Sequence, residues 1–298
     1  MSERRMMICG PFVLLALFIS ATAGCRRSGT NSSGGGGSES AARSDQTSPV
    51  AAKSPGRADD AVMKIIDELS AAWDKIDKLS LTVESEARRD LGDKADSKGK
   101  GLYSYQREGD RVRIHYYLNN SIKFFFGTDQ YHTWERVEWV VDGDIMEYLV
   151  LQYENRRLVR SKYDPNNVLQ PGGKILFDSL RAGNDLRLKG EESFQDMEVY
   201  VIEAKPTDGD GLGLHYFDKK TGIRVKWLET AGNGDKLLQM TVPKINLSPA
   251  LSDASFVMTQ YKNVEIVDEI TGQVTPAQLP TEPTPEKPWP EDQEPEPG

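Results

Sequence analysis

Residues 212–258 read LGLHYFDKKTGIRVKWLETAGNGDKLLQMTVPKINLSPALSDASFVM, and this stretch decides the fold. Two runs of alternating apolar residues flank Asp218-Lys219-Lys220-Thr221-Gly222, where the glycine supplies the positive φ that a tight reversal of strand direction requires. The pattern predicts a β-hairpin. On its second arm Ile223, Val225 and Trp227 alternate with Arg224 and Lys226, so one face is buried and the other wet. Leu212, Leu214 and Tyr216 form the matching apolar row on the first arm, which sends His215 to the other, exposed side. A Gly-Asn-Gly turn at residues 232–234 leads into a third run, Lys236 to Lys244.

Upstream the pattern is also of strands. Leu79, Leu81, Val83, Ser85 and Ala87 alternate, a charged turn follows over residues 92–99, and a second run spans Gly101 to Glu108. After Gly109-Asp110 comes a row of Val112, Ile114, Tyr116 and Leu118, with His115 expected on the exposed side, and Asn119-Asn120 is expected to turn the chain into a separate run over residues 121–127. Tyr131 to Val141 and Ile145 to Tyr153 flank Asp142-Gly143-Asp144, and Arg157 to Tyr163, Leu186 to Gly190 and Met197 to Lys205 continue the series. Turn signals about ten residues apart predict a meandering antiparallel sheet rather than parallel β-α-β units.

Two helices interrupt the strands. Val62, Ile65, Ile66, Leu69, Trp73 and Ile76 recur at helical spacing after Asp59-Asp60, whose carboxylates suit a helix N-terminus. Lys174 to Ala182 follows Pro171-Gly172-Gly173 and is stopped by Gly183, predicting a short helix that buries Ile175, Leu176 and Leu180. The fold class is α+β, with residues 59–272 as one domain.

The ends are of other kinds. Met1 to Gly24 has a basic start, an apolar run from Met6 to Ile19 and small residues before Cys25, the layout of a cleaved leader. Thr22-Ala23-Gly24-Cys25 resembles a bacterial lipobox, with Thr22 where Leu is commonest; the resemblance implies acylation of Cys25 and a membrane anchor. Arg26 after the cysteine, in place of the Asp that marks inner-membrane retention in some bacteria, points to the outer membrane, facing the periplasm. Residues 25–58 carry Ser, Gly, Ala and Thr with almost no large apolar group and read as a tether. Such a coil of roughly 33 residues has an r.m.s. span of about 30 Å. Residues 273–298 are Pro- and Glu-rich, with Trp289 between Pro288 and Pro290, and read as an extended, solvated tail.

Charge and chemistry exclude several classes. Formal charge is −9, and −10 once residues 1–24 with their net +1 are removed, which speaks against nucleic-acid binding. Both cysteines, Cys9 and Cys25, lie at or before the end of the leader, so no disulfide framework is available to the domain, which is expected to be monomeric. The chain has no H-E-x-x-H, phosphate-binding loop, G-x-S-x-G or C-x-x-C, and no catalytic, metal or cofactor site is expected. Ser97-Lys98-Gly99-Lys100 fits S-x-x-K but falls in the charged turn, and His115, His132 and His215 are scattered through strands. Asp208-Gly209-Asp210-Gly211 lacks the later acidic ligands of a Ca²⁺ loop and reads as a hairpin tip.

The turn Asp218-Lys219-Lys220-Thr221-Gly222, the Gly-Asn-Gly turn, Ile245-Asn246 before Pro249, and Leu251-Ser252-Asp253 before Phe256 together resemble the end of the LolA/LolB-like family of envelope lipoprotein-sorting proteins. The segment from Val141-Asp142-Gly143 to Tyr148 resembles that family's central hairpin. The resemblance implies an incomplete, strongly curved antiparallel β-barrel wrapped over an N-terminal amphipathic helix and a short lid helix. It also implies an apolar cavity for a lipid, or the acyl chains of a lipoprotein, released by lid motion. Lining residues would be Leu69 and Trp73 on the first helix, Phe124, Phe126, Val137, Trp139, Leu149 and Leu151 in the first block of strands, and Val199, Val201, Leu214, Tyr216, Val225 and Trp227 in the second. An ordinary filled core accounts equally well for these side chains. The same fold also serves as a protein-interaction sensor module in regulators that bind an anti-sigma factor.

Overall fold

The computed structural model describes residues 60–90, 94–126, 129–152, 156–207 and 209–277; Cys25, the leader, the tether and the tail beyond Ala277 lie outside them. Helix α1 (Asp60–Trp73) is followed by strands β1 (Lys78–Asp90), β2 (Lys94–Glu108), β3 (Arg111–Phe126), β4 (Asp129–Asp142), β5 (Ile145–Gln152) and β6 (Arg156–Lys162). Helix α2 (Gly173–Gly183) separates these from β7 (Asn184–Phe194), β8 (Met197–Pro206), β9 (Leu212–Asp218), β10 (Arg224–Thr230) and β11 (Lys236–Asn246), and β12 (Glu265–Asp268) and β13 (Gln273–Thr275) close the described chain.

All thirteen strands form one open, curved sheet, ordered β13-β12-β6-β5-β4-β3-β2-β1-β11-β10-β9-β8-β7. Two antiparallel meanders therefore meet where β1 pairs with β11. On the side of the first block β12 pairs in parallel with β6, and β13 forms the edge. The hairpin that decided the fold is present: Thr221 N–H donates to Asp218 Oδ2 (3.1 Å), and Gly222 turns the chain with φ 70°.

Three boundaries differ from expectation. Asn119-Asn120 makes no turn, because β3 runs straight through it; Asn120 is buried, its Nδ2 donating to Glu135 Oε2 (3.3 Å), and Asn119 Oδ1 accepts from Arg136 (3.1 Å). β2 begins at Lys94, so Ser97 to Lys100 lie in a strand and not in a turn. At the other end β13 pairs residues 273–275 with β12, extending the sheet past Gly272.

Register sorts the side chains into two faces. One row crosses Leu81, Tyr103, Tyr116, Trp139 and Tyr148 on β1 to β5, and the same face carries Met240, Trp227, His215 and Ile202 on β11 to β8. This inner face holds the helices. Val62, Ile66 and Leu69 of α1 and Leu176, Phe177 and Leu180 of α2 pack on Leu186, Ile202, Ala204 and Phe217 of β7 to β9. At about 1.5–3 kcal/mol for each large apolar side chain removed from water, that contact stabilises helices too short to persist alone.

The opposite face is covered as well. After β11 the chain crosses the outside of β3 to β6, packing Met258, Tyr261 and Val264 on Val140, Leu149, Leu151 and Leu158 before it joins the sheet beside β6 as β12.

Candidate functional site

The inner face of β1 to β5 carries a cross-strand series of rings. Tyr103 meets Tyr116 (centroids 6.3 Å apart), Tyr116 stacks on Trp139 (4.8 Å), and Trp139 stacks on Tyr148 (5.8 Å). Such pairs add about 0.5–1.5 kcal/mol each beyond the area they bury. Tyr103 and Tyr116 are each 1% exposed, Trp139 3%, and Met240 across the sheet 0%. Side chains whose surfaces meet only other protein atoms leave no room between them for a guest. Burial holds the Tyr103 and Tyr116 hydroxyls well above the ordinary phenol range, so both stay neutral. On this face Ala87 and Phe124, toward the far ends of β1 and β3, and Tyr148 and Val150 on β5 are only half-buried.

The end of α1 is clamped. Trp73 leans on Tyr105 (5.5 Å) and lies against the backbone of Gly172-Gly173, where a Cβ on Gly173 would come 2.6 Å from the indole Cδ1. Gly222 presses on the α1 backbone from the hairpin turn, and a Cβ there would collide with the Leu69 carbonyl. Three glycines thus fit the helix end between two turns, and Leu69 and Trp73 are core residues rather than the margin of a mouth.

Below the clamp lies a buried cation. Arg224 stacks its guanidinium on Trp227 (4.1 Å), places Nη1 3.3 Å from His215 Nδ1, and donates from Nη2 to the Gln170 carbonyl (3.4 Å) and from its backbone N–H to Pro171 (2.6 Å). Burial, with a smaller push from Arg224, lowers His215 to about 3, and burial lowers Arg224 to about 10. His215 is neutral at physiological pH and Arg224 is charged.

The expected lining residues divide between the faces. Val137, Trp139 and Trp227 are buried on the inner face, and Phe124 is half-buried on the same face toward the far end of β3; Val225 is buried in a bulge between Arg224 and Lys226; the side chain of Phe126 lies outside the described residues. Leu149 and Leu151 point outward, opposite Tyr148 and Val150, and are buried beneath the segment after β11. Leu214 and Tyr216 also lie on the outer face, in register with Glu203 and Val201, as does Val199 opposite Asp218. The inner row of β9 is instead Gly213, His215 and Phe217, which overturns the exposed placement of His215: it is 5% exposed and stacked on Phe217. His115 is on the outer face but half-buried, held by Glu138 and the Ser255 carbonyl. His132 is exposed. Sequence reasoning missed Tyr103 and Tyr105 as part of the interior, although their alternation with Gly101 was there to be read.

An open depression of about 530 Å³ lies elsewhere, between the end of α1, the β9–β10 turn and residues 247–249. Among the described residues no group of three or more His, Cys, Asp or Glu is placed to hold a metal ion, and no helix is long and apolar enough to cross a membrane.

No family model matches the chain, and no curated protein does. Among solved structures it is similar to a chain of the Pseudomonas aeruginosa MucA/MucB complex, at 16% identity and TM-score 0.42 over 67% of this chain and 61% of that one, less than two thirds of its length. It is similar also to LprF from Mycobacterium bovis (10% identity, TM-score 0.36, 66% of this chain and 99% of that) and to a LolA superfamily protein from Nitrosomonas europaea (12%, 0.24, 66% and 97%). Likenesses this distant concern layout alone. The layout expected from the LolA-like resemblance and the one observed share their main parts, a curved open antiparallel-rich sheet and two helices.

Proposed function

We propose that this chain is a non-enzymatic binding protein of the cell envelope, tethered to a membrane through acylated Cys25, whose domain engages a protein partner by its surface. The supporting observation is the filled inner face: Tyr103, Tyr116, Trp139 and Met240 are buried in one core cluster, and Trp73 is clamped against Gly172-Gly173. A carrier needs apolar space that its own side chains leave open, each buried CH₂ of a guest contributing about 0.8 kcal/mol. Tyrosines and an indole take up that space here. Residues 25–58 would give the domain reach and freedom to turn from the membrane.

A second reading, binding of a lipid or of a lipoprotein's acyl chains, draws on the half-buried inner residues Ala87, Phe124, Tyr148 and Val150, where the interior loosens. Extraction with organic solvent of the detergent-free chain, purified from the envelope with an ordinary cleavable secretory leader in place of residues 1–25, separates the two. Mass spectrometry is expected to find far less than one lipid per chain; stoichiometric lipid would overturn the surface-binding reading in favour of carriage.

A further inference from the structure

The open depression at the end of α1 combines two chemistries. Its lining combines the apolar Ile76, Pro249 and 47%-exposed Leu247 with Lys75, Lys78 and Lys220. None of these three ammonium groups has a carboxylate within ion-pair distance among the described residues, unlike Lys98 with Glu86 (3.2 Å) or Lys189 with Glu203 (3.1 Å). The one acidic side chain in the lining, Asp77, is engaged by Arg107 (3.1 Å). The site presents net positive charge beside an apolar patch.

The chain holds a segment of the complementary kind. Residues 278–298 contain Glu282, Glu286, Glu291, Asp292, Glu294 and Glu296 against the single Lys287, and in their midst Trp289 stands between Pro288 and Pro290. We propose that this segment docks in the depression of its own chain, the indole of Trp289 on Ile76, Leu247 and Pro249 and the neighbouring carboxylates on Lys75, Lys78 and Lys220. Reach permits it. β13 lies seven strand spacings from β1, about 34 Å across the strands, and Thr275 lies level with Thr82, so Ala277 stands about six residues, roughly 20 Å, along the strands from Lys78, a span of about 39 Å in all. A fully extended chain spans about 3.3–3.6 Å per residue, so Trp289, twelve residues past Ala277, reaches about 40–43 Å. The contact lies in the open and its charge component weakens with salt.

Zero-length carbodiimide cross-linking of the full chain at low ionic strength, followed by peptide mass spectrometry, tests this. Lys75, Lys78 or Lys220 is expected to join Glu286, Glu291 or Asp292, with yields falling at least about fivefold in W289A and in high salt. An equimolar mixture of ¹⁴N- and ¹⁵N-labelled chains is expected to give links within one isotope only. Links spread evenly over other exposed lysines such as Lys64, Lys123 and Lys244 would show a solvated tail, and links between isotopes a second copy as occupant; either overturns the proposal. So would binding to phosphatidylglycerol vesicles that K75Q/K78Q/K220Q abolishes and W289A leaves unchanged, which would make the depression a membrane contact.

Discussion

His115 Nε2 lies 2.9 Å from Oε1 of Glu138, a carboxylate with no exposed surface that ties the outer segment to the sheet. The same carboxylate accepts from Arg136 Nε (2.9 Å) and from the backbone N–H of Thr259 (3.0 Å). Charge-assisted bonds to a buried carboxylate exceed neutral ones in strength, and removing the charge strands Arg136. E138Q is expected to cost about 3 kcal/mol, read by chemical denaturation, and to speed proteolysis within residues 247–264 more than elsewhere.

Glu138 also sets an acid limit. Burial works to raise its pKa, but the hydrogen bond from His115, the charge of Arg136 and the Thr259 N–H outweigh it and hold the carboxylate below its ordinary 4.5. A depressed folded-state pKa gives stability that is complete above the unfolded value and lost as pH falls through the folded one. Wild type is therefore expected to lose stability relative to E138Q below about pH 4.5 and not above it, measured by denaturant titration at each pH.

His215 acts in a separate window. Its folded-state value of about 3, against an ordinary 6.5, means that protons bind the unfolded chain preferentially as pH falls below 6.5. Stability from this site is full above that pH and declines by about 1.4 kcal/mol per unit on the way down to 3. H215Q is expected to flatten the slope between pH 6 and pH 4.5, and the His215 ring resonances to show no titration over that range by NMR.

The clamp on α1 answers to steric size. G222A places a methyl group on the Leu69 carbonyl at a φ of 70° and is expected to destabilise by about 3 kcal/mol. A turn glycine at positive φ with open space around it, Gly143, serves as the control: G143A is expected to cost about 1–2 kcal/mol.

If the inner face is as filled as its exposures state, a guest site has to be cut into it. W139A is expected to cost about 3–5 kcal/mol and to leave a hollow beside Tyr116 and Tyr148 that takes up a small aromatic such as indole, with partial recovery of thermal stability. Wild type is expected to show no such rise with indole.

Strand and helix positions were legible because polar punctuation separates runs of clear period, as at Gly109-Asp110, Asp142-Gly143-Asp144 and Asp218 to Gly222. Which face points inward was not. Leu149 and Leu151 alternate as a buried row should, but what buries them is a segment more than a hundred residues later, invisible to a local pattern. In β9 the apolar residues Leu214 and Tyr216 look outward while His215 looks in, because a neutral imidazole beside Arg224 and Trp227 is an acceptable core side chain. Asn119-Asn120 has the composition of a turn, yet its amides are spent on Arg136 and Glu135 across the strands.

The passage of residues 247–264 across the outside of β3 to β6 bears on how the molecule matures. β12 can take its place beside Arg157 to Arg160 only after everything before it has been delivered, so the leucines of β5 stay wet until nearly the last of the domain arrives. A polypeptide interrupted anywhere short of Met258 would display that greasy stripe to whatever degrades faulty chains, and the fold thereby certifies its own completeness.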